Sequence, residues 1–132
     1  MFHLEILTPE KLFFDGDVDS LVCEIPDGKL GILASHAPMV APLVIGSISI
    51  HDEWGERRAF ISEGFIEVRK GGEAYVFTQA AEWPEDIDAM RARLSKDRIQ
   101  RRLEKTHSIA ERKLDEVAFA RALERLKITT HR

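Results

Sequence analysis

Cysteine is nearly absent from this 132-residue chain: Cys23 stands alone. A single thiol supports neither a disulfide framework nor a thiolate metal centre, which fits a reducing compartment. The strand-like residues around Cys23 make it a small buried hydrophobe. Long apolar runs are missing as well. The longest, "APMVAPLVIGSISI", holds two prolines, a glycine and two serines, and is too short to cross a bilayer as a helix. Met1 leads into "FHLEIL" without the basic flank and apolar run of a signal peptide. No export is expected, and any membrane association has to come through partners.

Catalytic constellations are equally scarce. Gly28-Lys29 lacks the glycine that a phosphate-binding loop requires at the position of Cys23, and the hydroxyl it requires at that of Leu30. His3, His36, His51, His107 and His131 show no metal-ligand spacing with one another or with Cys23. His36, in "ASHAPM", has no evident serine or cysteine nucleophile and reads as a satisfied loop histidine. Neither an enzyme acting alone nor a metal site is expected.

What the chain does have is a soluble composition, 44% hydrophobic and 32% charged, and a length suited to one compact domain or a small domain with an appendage. The net charge of −4 conceals two unlike halves. Residues 1–84 carry 6 Lys and Arg against 14 Asp and Glu, net −8; residues 85–132 carry 13 against 9, net +4. Different partners follow from different charge. The acidic half argues against nucleic acid, and no aromatics interleave with the basic residues of the other half.

The first half reads as short strands. Phe2, Leu4 and Ile6 alternate with His3 and Glu5, and Val18, Leu21, Cys23 and Ile25 lead to a Pro26-Asp27-Gly28 turn. "KLGIL", "MVAPLVI", "SISIH", "RRAFIS", "FIEVR" and "AYVFTQ" follow, separated by glycine-marked turns. This pattern predicts a sandwich or flattened barrel. Pro84 then pre-sets a helix start, with Glu85, Asp86 and Asp88 at its positive end. The helix is expected to run to about Lys105, break over Thr106–Ser108, and give way to a second helix that Ser108 and Glu111 open as a capping box. That helix should end near Ile128 before a fraying tail.

On the first helix Arg91, Arg98, Arg102, Ser95 and Asp88 share one side. Apolar stripes flank it, Ile87, Met90 and Leu94 on one hand and Ala92, Ile99 and Leu103 on the other, which predicts contact with two surfaces. On the second helix Arg121 and Arg125 fall within an apolar sector of Ala110, Leu114, Val117 and Ala118. Guanidinium groups so placed require partners. In an antiparallel hairpin the two pairs can converge on a multi-oxygen anion. The other reading is that their stems cover apolar surface and their heads pair with Asp88, Asp97 or Glu124.

The chain as a whole resembles the ε subunit family of the bacterial F-type ATP synthase. "ILTPEKLFFDGDV", "DGKLGILASHAPMVAPLVIG", "ISEGFIEV", "EDIDAMRA" and "ARALERLK" occur in the family's order and spacing. The resemblance implies an α+β protein: an antiparallel ten-stranded β-sandwich over residues 1–84, then an antiparallel αα-hairpin over 85–132. It implies a non-catalytic central-stalk subunit at the cytoplasmic face of the bacterial plasma membrane, peripheral and held there by the complex. The expected partners are the γ subunit, the ring of c subunits, contacted through Lys29, Gly31 and His36, and the α/β head, into which the extended hairpin reaches to inhibit ATP hydrolysis. No cofactor is required.

The resemblance also implies that ATP binds the folded hairpin as a regulatory ligand. Ile87-Asp88-Ala89-Met90-Arg91-Ala92 matches the family motif I/L-D-x-x-R-A, and Glu82, Arg98, Arg121 and Arg125 align with its nucleotide contacts. A free-standing ATP-sensing module is the alternative. Lys29 replaces the acid of many relatives, and Trp83-Pro84 stands where an alanine-rich junction is usual.

Overall fold

The structure is a computed structural model that describes residues 1–105 and 108–130. Two compact units divide it, Met1–Glu82 and Trp83–Arg132. The first holds ten strands: β1 (Phe2–Leu7), β2 (Leu12–Val18), β3 (Ser20–Ile25), β4 (Gly28–Leu33), β5 (Met39–Leu43), β6 (Gly46–Asp52), β7 (Gly55–Ile61), β8 (Gly64–Val68), β9 (Ala74–Thr78) and β10 (Ala81–Glu82). They form two five-stranded sheets, ordered β2-β1-β9-β8-β5 and β10-β7-β6-β3-β4. The sandwich expected from the sequence is therefore present, with one departure from antiparallel pairing. β1 runs parallel to β9, with Leu4 opposite Ala74 and Ile6 opposite Val76.

Alternation explains the core. Phe2, Leu4 and Ile6 of β1 point inward while His3, Glu5 and Leu7 stay half-exposed, and Ile48 and Ile50 do the same on β6. With Leu21, Ile32, Phe60, Ile66 and Val76 they fill the interior. Each such side chain contributes about 1.5–3 kcal/mol relative to leaving it in water. Cys23 is fully buried among them, and burial pushes its thiol up to about 11, so it stays protonated and inert near neutrality.

Periodicity alone finds eight strands, and the two it misses are instructive. β2 is a polar edge strand, "LFFDGDV", carrying Asp15, Gly16 and Asp17. It is held by pairing with β1 from Phe2–Val18 to Leu7–Leu12 rather than by its own apolar face. β10 is two residues long and exists because Ala81 and Glu82 pair with Ile61 and Phe60.

Trp83 opens the second unit. Pro84–Asp86 form only a single 3-10 turn, closed by Asp86 N–H to Trp83 O at 3.0 Å and Ile87 N–H to Pro84 O at 3.2 Å. The expected helix does not start there. Ile87 is extended, and α1 runs from Ala89 to Lys105. The reason is Asp88: its Oδ1 accepts the Arg91 N–H at 3.0 Å and its carbonyl accepts the Ala92 N–H, the geometry of a helix N-cap. A cap residue is not itself helical, so the helix has to begin after it.

α2 (Ile109–Thr130) extends two residues past the expected end. Ser108 caps it, accepting the Glu111 N–H at 3.4 Å on Oγ and the Arg112 N–H at 2.9 Å on its carbonyl. The expected break at Thr106 and His107, and the tail at His131 and Arg132, lie outside the described residues. α2 packs along α1 and back against the 3-10 turn, which makes the pair an antiparallel hairpin.

Candidate functional site

The hairpin is where the chain's unusual charges meet. Arg102 Nη2 donates to Asp115 Oδ1 at 2.8 Å across the helices, and Arg112 Nη1 donates to the Leu103 carbonyl at 3.2 Å. The second bond satisfies one of the carbonyls that the last turn of α1 leaves unpaired. These contacts set the register: residue 102 lies level with 115, and continuing it antiparallel puts Arg91 level with Leu126, one residue beyond Arg125.

Helical geometry then orients the arginines. On α1 the buried line runs through Ala92 and Ile99, and Arg91, Arg98 and Arg102 lie about 70–110° from it in one sense. On α2 the line through buried Asp115 and Ala122 has Arg121 and Arg125 at the same angles in the same sense. Antiparallel helices are related by an approximate twofold axis, so equal offsets are equivalent positions. Arg102, 58% exposed, reaches Asp115 from this side of α1. By helical spacing Arg91, Arg98, Arg121 and Arg125 therefore fall on the same flank of the hairpin, within about 10 Å along its axis.

Their environments differ. Arg91 and Arg98 are exposed; Arg121 and Arg125 are half-buried, and neither lacks a partner. From Ala118 to Thr129 every α2 residue except Lys127 is buried or half-buried. Ile87 and Ala92 are buried beside the exposed Asp88. Glu82 belongs to β10 of the first unit, where it is half-buried.

Two expectations fail here. The stripe of Met90 and Leu94 is largely exposed among the described residues, at 72% and 63%, while Ile87, placed with them by helical spacing, is buried and lies outside the helix. On α2, Ala110, Leu114 and Val117 are exposed, so the apolar sector proposed around the arginines is not a buried one; only Ala118 of that set is half-buried. Sequence reasoning also missed Asp115, a buried acid among the described residues. Its signal was present: it shares the inward line of α2 with Ala122.

In the first unit, Lys29 and Gly31 are exposed on β4, an edge strand. His36 follows on the loop, where its Nδ1 stands 2.7 Å from the Ala37 carbonyl; a carbonyl only accepts, so this nitrogen carries the proton. Ser35 beside it has φ of 65°, a left-handed backbone unusual for a residue with a β-carbon. A second cluster lies on the outer face of β1 and β2. His3 Nε2 is 2.9 Å from Asp15 and 3.3 Å from Glu5, and its Nδ1 is 3.3 Å from Asp17. Spacing along the chain does not suggest this cluster, because only Glu5 shares β1 with His3, while Asp15 and Asp17 come from across the ladder. The hydrogen bond to Asp17, aided by Asp15 and Glu5, raises the pKa of His3 despite some desolvation.

Residues 1–84 match the family described as ATP synthase, Delta/Epsilon chain, beta-sandwich domain. The ATP synthase epsilon chain of Caldanaerobacter subterraneus subsp. tengcongensis is 42% identical over 130 residues, 98% of this chain and 94% of that one. The chain belongs to the ATP synthase epsilon family. The epsilon chain of Caldicellulosiruptor bescii is also 42% identical, over 96% of this chain and 92% of its own. An epsilon chain is a non-catalytic subunit of its complex, in keeping with the scarcity of catalytic groups.

Two solved structures share the fold. A chain of the Euglena gracilis mitochondrial ATP synthase, from an assembly of OSCP, F1 and c-ring, superposes with a TM-score of 0.84 at 23% identity, covering 98% of this chain and 81% of that one. A chain from the Tetrahymena thermophila mitochondrial ATP synthase, central stalk and c-ring, gives 0.66 at 13% identity, covering 97% and 96%. Among the described residues no helix is long and apolar enough to cross a membrane.

Proposed function

We propose that this epsilon chain is a rotor subunit of the central stalk whose helical hairpin binds ATP and thereby sets a brake on ATP hydrolysis. The sandwich is the part that binds γ and the c-ring, with Lys29, Gly31 and His36 on the ring side. The extended hairpin is the part that reaches the α/β head. Its place is the cytoplasmic face of the bacterial plasma membrane, reached through the complex. Support for the rotor role comes from the fold neighbours, whose assemblies contain a c-ring.

What supports the nucleotide reading is the helical spacing that puts Arg91, Arg98, Arg121 and Arg125 on one flank of the hairpin, next to a complete Ile87–Ala92 motif. Four like charges spread over about 10 Å of helix axis repel, and a triphosphate is the multi-anion that converts this repulsion into charge-assisted hydrogen bonds. Arg121 and Arg125 would exchange their present partners for phosphate oxygens. ATP that prefers the closed hairpin stabilises it by that preference, so the ATP concentration sets the fraction of subunits able to brake.

Calorimetric titration of ATP into the wild type and into the Arg91→Ala and Arg121→Ala variants tests the clamp. Binding should be saturable in the wild type and at least tenfold weaker in each variant; equal heats in all three would overturn it. Co-elution of the purified chain with γ on a sizing column tests the rotor role. ATP binding without γ association would instead mark a free-standing sensing module.

A further inference from the structure

We infer that Asp115 and Arg102 form a clasp that sets the closed–open balance of the hairpin, making Asp115 a positioning residue for the arginines of that flank. Asp115 is 9% exposed and its side chain 13% exposed, buried as few carboxylates are. Its Oδ1 lies 2.8 Å from Arg102 Nη2, a charge-assisted distance, across a sequence separation of thirteen. The bond therefore exists only when α1 and α2 lie together. Opening the hairpin removes the guanidinium and transfers the carboxylate to water, so the pair reports and favours one state of a two-state element.

Position adds a second consequence. Arg102 continues the stripe of Arg91 and Arg98, one turn further from Arg98. Asp115 acts as a built-in counter-anion at the loop end of that stripe, where it neutralises one arginine and leaves the register that aligns the others. Arg112 strengthens the same end by donating to the Leu103 carbonyl at 3.2 Å, while its pair with Glu116 stays within α2. The clasp thus fastens the end where α1 finishes and α2 begins, and a ligand held by Arg91 and Arg125 would add to the packing already present at the other end. That last step rests on the ATP reading above; the clasp itself does not.

The test is amide hydrogen exchange on the full chain without nucleotide, comparing the wild type, Asp115→Asn, Arg102→Gln and the charge exchange Arg102→Asp with Asp115→Arg. Each single variant should speed exchange across α1 and α2 about tenfold, less than for a fully buried pair because Arg102 is 58% exposed, while the β-strands keep their protection. The exchanged pair should restore most of it. Wild-type exchange in Asp115→Asn overturns the clasp; so does a fast-exchanging Asp115→Asn that the charge exchange fails to rescue, or an Arg102→Gln without effect. A parallel series with ATP separates the two claims. If ATP adds no protection to the wild type, the nucleotide reading fails while the clasp is judged on the nucleotide-free data alone. If both hold, Asp115→Asn needs more ATP than the wild type to reach the same protection.

Discussion

Gly64 begins β8 at a point where the neighbouring strand leaves no room: a β-carbon there would run into the backbone carbonyl of Phe77. Backbone cannot swing aside as a side chain can, unlike at Gly46, where the obstacle is the carboxylate of Glu24. Gly64→Ala should therefore cost about 2–3 kcal/mol in chemical denaturation, well above Gly46→Ala. His3 gives a pH dependence of definite sign. Its pKa is raised in the folded chain, so the stabilisation it adds is fully present below 6.5 and disappears as pH rises through the raised value. His3→Gln should remove that slope from the denaturation midpoint, and the imidazole resonance should titrate later than that of a free histidine. At this scale sequence legibility is uneven. Cys23 reads correctly as a buried hydrophobe, whereas Asp115 and the acids around His3 owe their roles to neighbours on another helix or strand.

At the scale of the element, the start of α1 separates two roles of one carboxylate. Asp88→Ala removes the N-cap and should destabilise the helix by about 1 kcal/mol, seen as faster exchange over its first turns. Asp88→Asn keeps a cap of similar strength, so any loss of ATP heat in that variant measures a ligand contact rather than a frayed helix. Helix starts were readable one cap at a time: Ser108 was found because it precedes its helix without a competitor. Asp88 was not, because Pro84 advertises a start four residues earlier. The 3-10 turn shows that both signals operate, each over its own few residues. β2 escaped periodicity for the opposite reason, since an edge strand needs pairing more than it needs alternation.

Across the whole molecule, the change of charge and period near residue 84 coincides with a change of architecture, and each unit has its own buried residues. The first unit contains a complete sandwich core. A chain ended after Pro84 should therefore retain strand amide protection in β1, β6 and β8, and collapse of that protection would show that the sandwich depends on the helices. The family resemblance covered both halves because its motifs fall in each. What no motif conveyed was which helix faces turn together, because that depends on the antiparallel register that Arg102 and Asp115 establish.

The parallel pairing of β1 with β9 has a consequence for how the chain comes into being. β1, made before the other nine strands of the sandwich, is an interior strand of its sheet, flanked on one side by β2 and on the other by residues 74–77. Its second edge stays unsatisfied until more than half of the chain has been made. During that interval Leu4 and Ile6 belong to a two-stranded ribbon with an open flank, the state in which a nascent chain pairs with the wrong neighbour. Closure has to wait for contacts about seventy residues apart, which places this sandwich among the slower-folding small domains.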